Sequence, residues 1–325
     1  MSKNVALIIP YFGKFPNYFD YWLKSALANP NFDFLIFTDN ERQSINNVHF
    51  INMSFNQFKN LLQSKVSFKI TLDTPYKLCD YRPLFGCALQ EFIKNYKFWG
   101  FCDVDLIFGD LNKFITPKVL KEYDKIYDFG HLTLIRNNEF CNSIWKIKHH
   151  SSVYRYDEAF KTPYACHFDE NGGLKKIAEL SGLRCYHSID FADIDYTKYN
   201  FFLIGKQKQT YAGLFEWKNG KLKYYYLRNK NIFEEEVAYA HFQKRPLEIC
   251  NSKTNFKSFL IIPNKILTDT EYKPTLLNQR IKMEYPYWNK RKKIEFIKNK
   301  KHHSLQQHIY RSFFRKYYRK VLDKK

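Results

Sequence analysis

No part of this chain approaches the roughly 18 consecutive apolar residues that a membrane-spanning helix requires, so no such helix is expected. Cysteine occurs without metal-site spacing: the seven residues, at 79, 87, 102, 141, 166, 185 and 250, include no Cys-x-x-Cys pair. The odd count and that spacing argue against a complete disulfide framework and against a zinc knuckle, leaving reduced, buried thiols as the expected state. Glycine is scarce where phosphate loops need it, since Ile9-Pro10-Tyr11-Phe12-Gly13-Lys14 holds a single one. The first residues enter a hydrophobic run without the basic segment and long apolar stretch of a secretory signal, so a cytoplasmic location is expected. No Pro/Gly/Ser linker or internal repeat interrupts residues 1 to 260. Acidic residues number 32 against 53 Lys and Arg, and they nearly vanish beyond Asn289.

What the chain does contain is enough apolar material, 45% over 325 residues, for one large α/β domain with a smaller appendage. Val5-Ala6-Leu7-Ile8-Ile9, ending at Pro10, has the β-branched, continuous character of a strand buried on both faces. A helical stretch from about Tyr18 to Ala28 follows, then a second apolar strand, Phe34 to Phe37, stopped by Thr38-Asp39-Asn40. After Pro83, the apolar positions Leu84, Phe85, Ala88, Leu89, Phe92 and Ile93 predict an amphipathic helix leading to a strand over Phe98 to Cys102. Strand, helix, strand in alternation predicts a doubly wound, Rossmann-like α/β sheet, in which ligands bind beyond the carboxyl ends of the strands. Pro10-Tyr11-Phe12, Thr38-Asp39 and Asp103-Val104-Asp105 all fall at such ends.

Asp103 and Asp105 carry the most specific chemistry. In extended chain, residues i and i+2 project to one side, so both carboxylates can grip one divalent cation, and such a cation can bind a diphosphate. Hydrophobic residues resume at Leu106-Ile107-Phe108, so the acidic pair lies inside a core-forming stretch. The alternative is a pair of strand-end carboxylates that cap a helix or face water.

These residues resemble the nucleotide-sugar-dependent glycosyltransferases of the GT-A fold, with their Asp-x-Asp motif. A bacterial group of polysaccharide-cluster proteins is similar through a Lys-Leu-Cys-Asp-Tyr-Arg-Pro-like block, here Lys77 to Pro83, ahead of Phe101-Cys102-Asp103-Val104-Asp105. The likeness spans residues 4 to 250 in order of elements. Ala240-His241-Phe242-Gln243-Lys244-Arg245-Pro246 resembles the late His-Phe-x-x-x-x-Lys-Pro segment of glycogenin-like transferases, with a shorter spacing from His241 to Lys244. The resemblance implies a GT-A-like mixed-sheet catalytic domain over residues 1–262, followed by a connector and basic helical tail over 263–325. It implies Asp103, Asp105 and His241 as metal ligands, for Mn²⁺ or Mg²⁺, and Lys244 and Arg245 as diphosphate contacts. Imidazole with carboxylates suits Mn²⁺ better. Taken alone, His241 reads more readily as a core histidine at a strand end, and the flanking Lys244-Arg245 pair favours the site role.

The implied activity is metal-dependent transfer of a hexosyl group from a UDP-sugar to a hydroxyl of a glycan or lipid-linked glycan, in capsular, O-antigen or lipooligosaccharide synthesis. Pro10, Tyr11, Thr38, Asp39 and Val104 are the expected lining of the nucleotide site. Lys77, Asp80 and Arg82 are candidates for ribose or donor-sugar contacts, or else form a helix-entry cap with a surface ion pair. Asp169 and Glu170, in His167-Phe168-Asp169-Glu170-Asn171-Gly172-Gly173 before the helical stretch Leu174 to Leu180, either cap that helix or supply the base for the acceptor hydroxyl. The aromatic content of 19% also suits the C–H faces of sugars.

Beyond Asn289, Lys290-Arg291-Lys292-Lys293 and later Lys and Arg residues alternate with Ile294, Phe296, Phe313, Phe314, Tyr317 and Tyr318. Such a basic, aromatic pattern fits a helix lying on an anionic bilayer, which would make the protein peripheral on the inner membrane; a solvated or disordered tail is the alternative. Nucleic-acid binding is disfavoured, because the charge is terminal, no recognised nucleic-acid motif appears, and Asp103, Asp105 and His241 stay unexplained. A sugar nucleotidylyltransferase ranks lower still for want of a glycine-rich loop.

Overall fold

The computed structural model describes residues 4–148, 154–196, 198–204, 213–243, 245–250 and 256–282. Lys244 and the basic tail with its expected membrane-docking helix lie outside the described residues. Strands run along the chain as β1 (Val5–Pro10), β2 (Phe32–Thr38), β3 (Val48–Asn52), β4 (Phe98–Cys102), β5 (Leu106–Phe108), β6 (Lys125–Phe129), β7 (Leu132–Arg136) and β8 (Cys185–Tyr186). They continue as β9 (Ala192–Asp193), β10 (Gly213–Lys218), β11 (Lys221–Arg228), β12 (Asn231–Glu236), β13 (Tyr239–His241), β14 (Glu248–Cys250), β15 (Ser258–Ile262) and β16 (Lys265–Thr268).

The main sheet has the order β3-β2-β1-β4-β7-β6-β8. Its first four strands are parallel, and β7 enters antiparallel between β4 and β6, so the fold is mixed α/β. Strand alternation sorts β1 between two layers. Val5, Leu7 and Ile9 pack with Phe19, Trp22 and Ala26 of helix α1 (Phe19–Leu27), while Ala6 and Ile8 pack with Leu78, Tyr81 and Leu84 on the other side. Gly100 in β4 is needed for close approach, because a Cβ there would sit 2.2 Å from the Thr133 carbonyl oxygen of β7. The carboxyl ends of β1, β2 and β4 therefore share one edge, where Pro10, Thr38 and Asp103 stand.

A second sheet, β12-β11-β10-β15-β16-β14, is largely antiparallel. Here the sequence-based boundary at 262 is corrected: β16 pairs with β15 as a hairpin, and Leu277 of helix Pro274–Lys282 packs on Leu214, Tyr225, Leu260 and Ile262. Residues 263–282 thus belong to the folded body. A third sheet, β5-β13-β9, is small but carries the side chains that matter most.

The amphipathic helix expected after Pro83 is present in two short pieces, Phe85–Ala88 and Gln90–Ile93, broken at Leu89, and it is preceded by a 3-10 helix, Pro75–Leu84. With three residues per turn, positions three apart eclipse, so this helix has three distinct faces. Leu78, Tyr81 and Leu84 enter the hydrophobic core, Lys77 and Asp80 are buried against the 159–168 segment, Pro83 is buried, and on the third face Tyr76 is exposed while Cys79 and Arg82 are half-buried. No helix among the described residues is long and apolar enough to cross a membrane.

Candidate active site

Asp103 and Asp105 lie in the turn between β4 and β5, as the end of the apolar run dictates. The Asp103 amide donates to the His131 carbonyl at 3.1 Å, and Trp22 Nε1 donates to the Asp103 carbonyl at 3.2 Å, which pins the turn from two sides. The third sheet then supplies the partner from far along the chain. Antiparallel pairing sets His241 of β13 opposite Leu106, and the Phe242 amide donates to the Asp105 carbonyl at 2.9 Å. His241 Nε2 consequently faces Asp105 Oδ1 at 3.6 Å. One ligand atom from each of Asp103, Asp105 and His241 lies within 4.8 Å of the others.

The other imidazole nitrogen is fixed by a residue that the sequence reading missed. Parallel pairing of β13 with β9 places Asp193 directly across from His241, and Asp193 Oδ1 lies 2.8 Å from His241 Nδ1. Gln243 Nε2 donates to the same oxygen at 2.8 Å. An acceptor on Nδ1 directs the Nε2 lone pair outward, the arrangement in which histidine ligates metals. Burial disfavours the His241 cation, but the Asp193 hydrogen bond and the charges of Asp105 and Asp103 outweigh it and raise the imidazole pKa. The only local signal for Asp193 is the short apolar pair Phe191-Ala192 between acids, Asp190 and Asp193.

His131 also escaped assignment. Its ring lies 4.5 Å from the His241 ring, Nδ1 is 2.9 Å from the Tyr239 hydroxyl, and Nε2 is buried without a hydrogen-bond partner among the described residues. Burial, with the neighbouring His241 and Arg82, holds its pKa well below the usual range, so it is neutral.

On the opposite side, Arg82 joins the two acidic motifs. Its Nη2 donates to Asp103 Oδ1, and its Nη1 donates to Asp169 Oδ2 at 2.7 Å and to the Gly130 carbonyl at 2.7 Å. The guanidinium also lies over Phe101 at 5.3 Å. Asp169 does not cap the Leu174–Leu180 helix, whose N-cap is Gly173 with no side-chain bond. It is turned toward Arg82 and buried, with Oδ1 lacking a partner among the described residues. Burial, opposed by Arg82 and reinforced by Glu170 and Asp80, pushes its pKa up to about 8. Gly130 allows this convergence: a Cβ there would lie 2.7 Å from Asp169 Oδ2, 2.9 Å from Glu170 Oε1 and 3.0 Å from Arg82 Nη1.

The remaining candidates divide clearly. Tyr11 stacks on Phe15 at 4.8 Å and lies near enough to Asp105 for that charge, after burial, to raise its pKa. Asp39 Oδ1 accepts from the Gly13 amide at 2.8 Å, which ties the loop after β2 to the one after β1. Thr38 is buried, accepting from Asn40 at 2.8 Å, Pro10 ends β1, and Val104 is buried in the acidic turn.

Lys77, Asp80 and Arg245 are not brought to the cleft. Asp80 is fully buried and accepts from the Cys166 amide at 2.8 Å, the Phe168 amide at 2.8 Å and Lys77 Nζ, while Lys77 Nζ also donates to the Ala159 carbonyl at 2.8 Å. This buried clamp holds the 166–169 loop in place instead of contacting a donor or forming a surface ion pair. Arg245, 1% exposed, donates to the carbonyls of Tyr199, Asp195 and Lys198, so its guanidinium ties down a loop and is spent before it could reach a diphosphate.

Residues 7–270 match the model of a family described as "Family of unknown function (DUF6625)", and the chain belongs to that family. No curated protein matches it. Among solved structures, the glycosyltransferase GlyE of Streptococcus pneumoniae TIGR4 is similar at 11% identity and a TM-score of 0.32, over 58% of this chain. The match spans 46% of the GlyE chain, less than half its length. The galactosyltransferase LgtC in complex with donor and acceptor sugar analogs is similar at 12% identity and a TM-score of 0.38, over 73% of this chain and 87% of that one. An active-site mutant of LgtC gives 12% identity and a TM-score of 0.38, over 74% and 88%. Scores in this range do not carry function across, so the chemistry has to be argued from the side chains.

Proposed function

We propose that this chain is a metal-dependent glycosyltransferase that moves a hexosyl group from a UDP-sugar to a hydroxyl of a glycan or lipid-linked glycan acceptor. The observation that carries the reading is the triad of Asp103, Asp105 and His241 beyond the carboxyl end of β4, with Asp193 behind the imidazole. Two carboxylates and one neutral imidazole nitrogen fit Mn²⁺, and Mg²⁺ less well. Asp103, Asp105 and His241 would hold a divalent ion, which would supply positive charge toward the departing nucleotide diphosphate.

The chain's own residues account for the rest. Pro10, Tyr11, Thr38, Asp39 and Val104 surround the edge where a nucleoside enters, and Lys244 is proposed as a further diphosphate contact. Arg82 presents a fixed guanidinium between the metal triad and Asp169, suited to a developing negative charge. As the acceptor oxygen bonds to the anomeric carbon, the bond to the diphosphate breaks, its electron pair leaves on UDP, and the acceptor proton passes to Asp169 or Glu170.

A donor-hydrolysis screen of UDP-, GDP- and CMP-sugars, with and without Mn²⁺, tests this. Turnover of a UDP-sugar that needs Mn²⁺ and is lost in Asp105→Ala is expected. No turnover and no nucleotide binding with any donor would overturn the reading and favour an interaction protein.

A further inference from the structure

Tyr76, Cys79 and Arg82 occupy positions i, i+3 and i+6 of the 3-10 helix Pro75–Leu84, and so share one face. The Arg82 end of that face touches Asp103 and Asp169. One turn back, Cys79, His167 and Asp169 bring one polar atom each within 4.8 Å of one another. A further turn back stands Tyr76, about 12 Å along the axis from Arg82 at the rise of a 3-10 helix.

Three observations mark this stretch as a place for a ligand. Tyr76 is 56% exposed, the most exposed large apolar side chain among the described residues, and it stands on the same helix face as Cys79 and Arg82. Asp169 Oδ1 is buried with no hydrogen-bond partner among the described residues, and a buried carboxyl oxygen calls for one. His167 is held at φ +53° between two amides, those of Cys166 and Phe168, that both donate to Asp80. Burial pushes the Cys79 thiol well above its usual range, so it stays protonated and makes a poor metal ligand.

We infer that Tyr76, Cys79 and His167 line a subsite for a pyranose ring of the acceptor glycan, its C–H face against Tyr76 and its hydroxyls toward His167 and Asp169 Oδ1. The word acceptor rests on the glycosyltransferase reading, in which Asp169, beside Arg82 and within reach of Cys79 and His167, takes the proton of a hydroxyl held on this face. An aromatic ring offers a broad apolar face to the sugar, while the flanking polar atoms select among hydroxyl orientations.

The test is saturation-transfer NMR of the full chain with methyl β-D-galactopyranoside, methyl α-D-glucopyranoside and lactose, with and without Mn²⁺ and UDP. Saturation of at least one glycoside is expected, falling about tenfold in Tyr76→Ala and retained in Tyr76→Phe. Calorimetry should give the same Mn²⁺–UDP affinity in both variants. Equal saturation in Tyr76→Ala, or no saturation by the wild type while UDP binds, would overturn the subsite. Absence of Mn²⁺–UDP binding in the wild type would instead defeat the glycosyltransferase reading, and the glycoside signal would still decide whether the ring binds there.

Discussion

Asp193 Oδ1 lies 2.8 Å from His241 Nδ1, across a parallel strand pair only two residues long. The contact fixes which nitrogen of the imidazole meets Asp103 and Asp105. Removing such a partner from a metal-binding histidine weakens metal affinity by about 10–100-fold. Asp193→Ala is expected to show that loss for Mn²⁺ by calorimetry, and Asp193→Asn, which keeps the acceptor, to recover most of it. Wild-type Mn²⁺ affinity in Asp193→Ala would remove Asp193 from the site.

Gly130 is where substitution should cost activity more than stability. A Cβ there meets the ends of Asp169, Glu170 and Arg82, at 2.7, 2.9 and 3.0 Å, and those ends can give way. Displacing the reacting geometry by about 1 Å costs on the order of 10²-fold in rate, so Gly130→Ala should lose that much turnover with a melting temperature near wild type. Gly100→Ala makes the contrast, because it meets a backbone carbonyl oxygen at 2.2 Å and should fail to fold. Similar turnover in Gly130→Ala and wild type would refute the crowded-cleft account.

Asp169 gives a pH signature with a definite sign. Its carboxyl is pushed up to about 8 by burial, so it is protonated at pH 7. If Asp169 is the base, turnover climbs with pH and levels off above about 8, and Asp169→Asn flattens that limb. Stability runs the other way. An unfolded Asp loses its proton near pH 3.9, so between about pH 4 and 8 the native state binds more protons and stability falls as pH rises. Chemical unfolding across that window should show the decline in the wild type and less of it in Asp169→Asn.

Asp80 should behave as a structural residue despite its place in an acidic-basic block beside the site. Asp80→Ala leaves Lys77 buried without its counter-ion and two amides without their acceptor, a loss of about 3–5 kcal/mol by analogy with broken buried pairs. Adding Lys77→Met should recover part of it in denaturant titrations. A small loss in Asp80→Ala would mean that the 166–169 loop is held by other contacts.

Continuous apolar runs made β1, β2 and β4 legible, because strands buried on both faces leave no polar alternation to misread. The same runs located their carboxyl ends, and with them Asp103 and Asp105. Asp193 and His131 were opaque for a different reason: each reaches the site through strand pairing, and a two-residue strand such as β9 leaves little trace in local pattern. Lys77, Asp80 and Arg245 looked like ligand contacts because charge in a motif invites that reading, whereas tertiary packing used each one to satisfy buried backbone groups. The stretch after Pro83 fitted helical spacing and is helical on both sides of Leu89, while Gly86 packs so closely on Trp99 that a Cβ would come within 2.5 Å of the indole.

The 3-10 helix has an implication for how this protein can vary. Because each turn takes three residues, inserting or deleting one between Pro75 and Arg82 would rotate the downstream part by about 120° and send a cleft side chain into the interior. Length is therefore constrained far more tightly than identity at Tyr76 and Cys79. Homologues with altered sugar preference are expected to differ by exchange at those two positions, and directed evolution of new specificity has its smallest useful library there.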